Sequence, residues 1–152
     1  MKIRRFRKSD SIKVYELIRK NDLETASKFY PKKIINEWLK ELSPAKILKK
    51  SMERICFVAE KDKKIVGYVS LSEDEVKKLF VLPKFHKKGI GKKLLDKIEK
   101  VARGKRIKKL VLYSNFYAEP FYKKCGFKKI KISLQKAGSM KYKSIYMGKK
   151  LK

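Results

Sequence analysis

The chain has 152 residues and a mass of 18.0 kDa, the size of one domain that buries roughly two-thirds of its unfolded surface around a single core. Hydrophobic residues make up 43% of it and aromatics 11%, which excludes global disorder although 39% of the chain is charged. Forty-four Lys and Arg against fifteen Asp and Glu leave a formal charge of +29, a field that attracts nucleic acid, phosphorylated cofactors and anionic membranes.

That charge is unevenly placed. Residues 1–83 hold 21 basic and 12 acidic side chains, residues 84–152 hold 23 and 3, so the second half is where an anion is expected to bind. No apolar run approaches the roughly 20 residues of a membrane span, and Met1 leads into further charge, so a cytoplasmic protein is expected. Cys56, Cys125 and the single histidine, His86, lack metal-ligand spacing and make a Ser-His-Asp or Cys-His mechanism a poor fit. No metal is expected, and both cysteines read as small buried hydrophobes.

In chain order, residues 2–6 read as a strand, and Ser9-Asp10 as the cap of a helix carrying Ile12, Val14, Tyr15, Leu17 and Ile18. Pro31 opens a second helix with Ile34, Ile35, Trp38, Leu39 and Leu42 at helical spacing, and Ser43-Pro44 ends it and begins a short third one. Two β-rich runs, 55–60 and 65–71, flank Lys61-Asp62-Lys63-Lys64 as a hairpin does. Residues 76–82 form a strand stopped by Pro83. Leu94, Leu95, Ile98, Val101 and Ala102 then mark a helix ending near Gly104. A strand at 107–113, a short helix at 117–124 closed by Gly126, and two strands at 127–134 and 142–149 around Ala137-Gly138-Ser139 complete one domain over 1–152. The pattern is a mixed α/β sheet with crossover units at 76–113 and 107–134.

The most informative segment runs from Leu79 to Leu95. Strand, loop and helix start follow one another, and Gly89 and Gly91 let the backbone approach an anion at the positive end of the helix dipole. Lys84, Lys87, Lys88, Lys92 and Lys93 lie at that same end, where each costs about 0.3–1 kcal/mol unless an anion is present. The segment lacks Gly-x-x-x-x-Gly-Lys-Ser/Thr, and Gly89-Ile90-Gly91 lacks the third glycine of the dinucleotide fingerprint.

His86-Lys87-Lys88-Gly89-Ile90-Gly91 resembles motif A of the GNAT superfamily of acyl-CoA-dependent N-acyltransferases, Arg/Gln-x-x-Gly-x-Gly/Ala, with His86 in place of Arg or Gln. About 25 residues later, Asn115 to Phe127 resembles that family's Asn-x-x-Ala-x-x-Phe/Leu-Tyr-x-Lys-x-Gly-Phe segment. The resemblance implies a single-domain, mostly antiparallel mixed sheet flanked by helices and splayed between its fourth and fifth strands. It implies transfer of an acetyl group from acetyl-CoA to a primary amine by direct attack. Main-chain groups of Leu79 and Val81 would then meet the pantetheine arm, and Lys87, Lys88, Gly89, Ile90, Gly91 and Lys92 the pyrophosphate. Asn115 would lie near the pantetheine or the leaving sulfur, and Tyr122 in the family's general-acid position.

Strand alternation places Glu75 on the same face as Leu79 and Val81, where some members of the family carry a catalytic glutamate. Glu73-Asp74-Glu75 is equally readable as a solvated turn. Tyr30, Tyr68 and Trp38 are candidates for the acceptor site that nothing in the sequence separates from core aromatics. The acceptor is expected to be a small-molecule amine or a protein N-terminus or lysine, the chain a monomer or homodimer, and no membrane partner is expected. The rival reading is a basic nucleic-acid-binding protein or ribonucleoprotein-associated module without catalysis, whose +29 charge and interleaved Lys, Tyr and Phe in 105–131 would give tight, salt-dependent, sequence-nonspecific binding; no recognised nucleic-acid motif supports it, and beside catalysis only weak nonspecific binding is expected.

Overall fold

A computed structural model describes all 152 residues. Its strands are β1 (Lys2–Arg5), β2 (Ile55–Lys61), β3 (Lys64–Ser72), β4 (Glu75–Val81), β5 (Lys109–Ser114), β6 (Lys128–Ala137) and β7 (Met140–Lys150). Its α-helices are α1 (Ser11–Glu24), α2 (Lys32–Lys40), α3 (Pro44–Met52), α4 (Ile90–Gly104) and α5 (Glu119–Lys124). All strands join one sheet in the order β1-β2-β3-β4-β5-β7-β6, antiparallel except where β4 meets β5.

Local turn chemistry builds most of this. Asp62 and Lys63, with φ of 51° and 63°, form the two-residue turn between β2 and β3, the left-handed pair that matches strand twist. Gly138, at φ 60°, turns β6 into β7, and both strands run longer than their sequence patterns suggest because they pair with each other from Ala137 and Met140 out to Lys128 and Gly148, while Lys149 and Lys150 of β7 go on to pair with β5. Ser43 caps α3 by accepting the Lys46 N–H at 3.1 Å, with Pro44 behind it. The expected cap of α1 is corrected. Asp10 ends a short 3-10 turn and bonds no helical N–H; its carboxylate accepts the Arg7 N–H at 2.7 Å and the Arg4 guanidinium at 2.9 Å.

Helices cover both faces. The apolar stripe of α4 (Leu94, Leu95, Ile98 and Ala102, each fully buried) packs on one face of the sheet together with Tyr122 and Phe127. On the other face, Val14, Leu17 and Ile18 of α1 and Ile47 of α3 cover Cys56, Val58 and Tyr68. A third cluster joins Ile34 and Ile35 of α2 to Tyr30 and to Ala137 at the tip of the β6–β7 hairpin. Cys56 is buried, as expected for a small hydrophobe, whereas Cys125 is only half-buried. No helix is long and apolar enough to cross a membrane.

Candidate active site

β4 and β5 share a single parallel register pair, Glu75 with Val111, beside which the Val111 N–H donates to the Asp74 carbonyl at 2.9 Å. Beyond it the strands part. The Leu82 N–H is spent on Val66 of β3, so alternation turns the main-chain groups of Leu79 and Val81 away from β3 and toward the side β5 has left. The Val81 carbonyl is occupied there: it accepts Asn21 Nδ2 of α1 at 2.8 Å and His86 Nε2 at 2.7 Å. His86, the departure from motif A, thus ties the loop back to the end of β4.

Next to this gap begins α4. Its N-cap, Gly89, has φ 85° with open space where a side chain would stand, and Lys87 is also left-handed at φ 61°. No protein acceptor faces the main-chain N–H groups from Lys87 to Lys92, and the first turn holds no acidic residue. Curled backbone, free donors and the helix dipole form a cradle of the kind that can accept an anion. The lysines divide. Lys84 and Lys88 lie over the Phe85 ring at 5.3 and 5.6 Å and are joined there by Lys61 at 5.3 Å, whereas the Lys92 ammonium runs along the helix to Asp96 at 2.9 Å and leaves only its N–H to the cradle. Gly91 has a packing role: a Cβ there would stand 3.1 Å from Phe121 Cζ, so the glycine lets α5 approach α4.

The expected face of Glu75 is corrected. Ser70 pairs with Lys78 but Leu71 with Val76, so Lys77 is an extra residue and the alternation of β4 breaks there. Leu79 and Val81 pack toward α4, whereas Glu75 opens with Lys78 and Phe80 onto a 370 Å³ cavity on the α1 and α3 side. Asp22, Lys50, Arg54, Tyr117 and Gln135 also border it, as do Tyr30, Trp38 and Tyr142. The last three form edge-on aromatic contacts at 5.0 to 6.0 Å. Of the aromatics considered from sequence, Tyr30 and Trp38 line the cavity, while Tyr68 lies beneath it, its hydroxyl bonded to Ser51 at 2.8 Å.

Tyr122 lies on the α4 side, in the main core between Phe121 and Phe127, and burial pushes its hydroxyl upward so that it stays protonated. Asn115 lines the cavity, and its Oδ1 accepts the Ala118 N–H at 2.8 Å, which explains the Asn-x-x-Ala spacing as a turn lock leading into α5. Tyr117 follows it at the cavity wall, its hydroxyl pushed up to about 12 by burial.

Two residues escaped the sequence reading. Asn21 and Asp22 continue the apolar stripe of Val14, Leu17 and Ile18 at helical spacing, and polar residues on a buried stripe were the available signal. Asn21 ties α1 to β4. Asp22, 7% exposed and bonded to no protein donor, opens on the cavity, and burial pushes its carboxyl up to about 6 against the opposing charge of Lys78. Burial and the charges of Lys50 and Arg54 hold the Lys78 ammonium below its ordinary range, with Asp22 acting against them. No group of His, Cys, Asp or Glu side chains is placed to hold a metal ion.

A family model described as an acetyltransferase (GNAT) domain matches residues 22–143. No curated protein matches the chain by sequence. Among solved structures, the fold is similar to that of a GCN5-related N-acetyltransferase from Rhodopseudomonas palustris at a TM-score of 0.94 and 19% identity, covering 99% of this chain and 95% of that one. The PaiA N-acetyltransferase of Thermoplasma acidophilum, solved in complex with coenzyme A, superposes at 0.82 with 26% identity and 98% of both chains. The yncA protein of Salmonella typhimurium, solved with its cofactor acetyl-CoA, gives 0.77 and 20% identity over 100% of this chain and 94% of that one.

Proposed function

The chain belongs to the GNAT acetyltransferase family, and on that premise we propose that it transfers the acetyl group of acetyl-CoA to a primary amine seated in the 370 Å³ cavity. One observation carries the reading: the parting of β4 and β5 lies between a cradle of free N–H groups at α4 and a cavity that holds carboxylates. The cradle fits the pyrophosphate of coenzyme A, and the bound form of the PaiA protein supports that choice of cosubstrate.

Acetyl-CoA supplies an acetyl group already activated as a thioester. The residues of the chain do the rest. Main-chain N–H groups of residues 87–92 hold the diphosphate, and the Leu79 and Val81 groups line the pantetheine path, with the Val81 N–H left as the donor because its carbonyl is taken by Asn21 and His86. Asp22 and Glu75 draw the protonated amine into the cavity, where it gives one proton to solvent before attack; Glu75 accepts the second as the C–N bond forms and the C–S bond breaks. Tyr122 donates its proton to the departing thiolate and recovers one from solvent, so the products are the amide and free coenzyme A. Asn115 holds the turn that leads into α5, the helix that carries Tyr122.

The test is thermal unfolding with and without millimolar acetyl-CoA, followed by thiol release over a panel of amines. A ligand that binds only the folded chain raises its Tm by mass action. Absence of any shift removes the transferase reading and leaves a nucleic-acid-binding role, carried by the +29 charge, as the alternative.

A further inference from the structure

We propose that the acceptor carries an anionic group beside its amine, a carboxylate or a phosphate, bound by Lys50, Arg54 and Lys78 on the α3 and β4 wall of the cavity. This rests on the acetyltransferase reading and narrows its acceptor class.

Lys46, Lys50 and Arg54 recur at intervals of four and so share one face of α3 and its exit. Lys77 and Lys78 reach the same cavity from β4. Against these five cations the lining offers three carboxylates, Asp22, Glu41 and Glu75. Two cations are matched: Lys46 pairs with Glu41 and Lys77 with Glu75, each at 3.4 Å. Lys50, Arg54 and Lys78 form no ion pair, and Asp22 is the one carboxylate left to face them.

Elsewhere on this basic surface lysines without an ion pair stand in solvent or lie over an aromatic ring, as Lys84 and Lys88 do over Phe85. Here Lys78 is half-buried, and the charges of Lys50 and Arg54 add to the cost that burial imposes on its ammonium. A desolvated cation with like charges around it is stabilised by an anion delivered into the cavity. An acceptor with one amine and one anionic end matches the whole lining: the amine meets Asp22, Glu75 and the aromatic side chains of Tyr30, Trp38 and Tyr142, while the anion meets the three cations. A polyamine leaves those cations unmatched and adds repulsion.

The chain has one tryptophan, and it lines the cavity, so its emission reports on occupancy without turnover. Trp38 fluorescence is titrated in the coenzyme A complex with γ-aminobutyrate against n-butylamine, O-phosphoethanolamine against ethanolamine, and spermidine. The expected result is at least tenfold tighter binding of one anionic amine than of its neutral counterpart, and the pair that shows it tells carboxylate from phosphate. The double variant Lys50→Gln/Arg54→Gln abolishes that preference. Lys128→Gln/Lys129→Gln, which removes the same charge from exposed positions on β6, preserves it.

Equal or tighter binding of the neutral amines or spermidine overturns the proposal, as does equal loss of preference in both double variants, which marks a general field effect. Thiol release is read in parallel. Anion-selective binding without thiol release from any amine refutes the transferase reading alone, whereas thiol release from neutral amines without anion preference refutes this proposal alone.

Discussion

Asp22→Asn is expected to make the protein more stable at neutral pH and less able to acetylate. The carboxyl lies in the last turn of α1, 7% exposed, with no protein hydrogen bond, and faces Lys78, Tyr117 and Tyr142 across the cavity. Burial lifts it from the ordinary 3.8 to about 6 in the folded chain. That difference corresponds to roughly 3 kcal/mol as an upper figure. The sign follows from proton binding. Below about pH 4 the acid is protonated in both states and contributes nothing, whereas between about pH 4 and 6 the unfolded chain ionises first and stability falls; above about 6 the loss is constant. Urea denaturation of parent and variant from pH 4 to 8 should therefore give equal stabilities at the acid end. At neutral pH the variant should lead by up to roughly 3 kcal/mol, or about 6–12 °C in Tm for a chain of this size. Its kcat/KM for amines should fall together with that gain, because a costly buried carboxylate on a cavity wall belongs to binding or chemistry. A variant no more stable at neutral pH, or a difference independent of pH, would refute the argument, since Asp22 would then be fully compensated by a partner such as Lys78.

Tyr122→Phe keeps the ring between Phe121 and Phe127 but removes the donor, so kcat should fall about 100-fold with acetyl-CoA affinity nearly unchanged; full activity with chemistry rate-limiting leaves Tyr122 a core residue only. Gly67→Ala places a Cβ 2.8 Å from Leu94 Cδ1 and 3.3 Å from Ala59, and calorimetry should find a loss of roughly 1–3 kcal/mol. Asp10→Asn strips Arg4 of its closest partner and should cost roughly 3 kcal/mol at pH 7. Burial alone would raise the Asp10 carboxyl, but Arg4 and the Arg7 N–H hold it below its ordinary range, so that stabilisation is present above about pH 4 and fades as pH falls through the depressed value. Guanidinium titrations across that window measure it.

What the sequence determined by itself was local. Pro31, Pro44 and Pro83 fix where helices begin or strands stop, Asp62-Lys63 and Gly138 fix two hairpins, and the stripe of Leu94, Leu95, Ile98 and Ala102 fixes the buried face of α4. These rest on contacts a few residues apart, so residue type and spacing suffice. The same holds for the Gly89 loop and the Asn115 to Phe127 segment, whose order and spacing already named a family.

Tertiary structure alone decided how those pieces meet. β7 enters between β5 and β6, so the crossover from β5 through α5 ends one strand further out than sequence neighbours suggest. The extra residue at Lys77 reverses the face of Glu75, since side chains alternate with a period of two and one inserted residue exchanges inside for outside. Asp22, Lys78 and Arg54 come from three segments whose charges look solvated in the sequence; packing α1 and α3 across β4 gathers them around one cavity. Register and burial depend on partners more than fifty residues away in the chain, such as Asn21 on the Val81 carbonyl, and no local pattern encodes them.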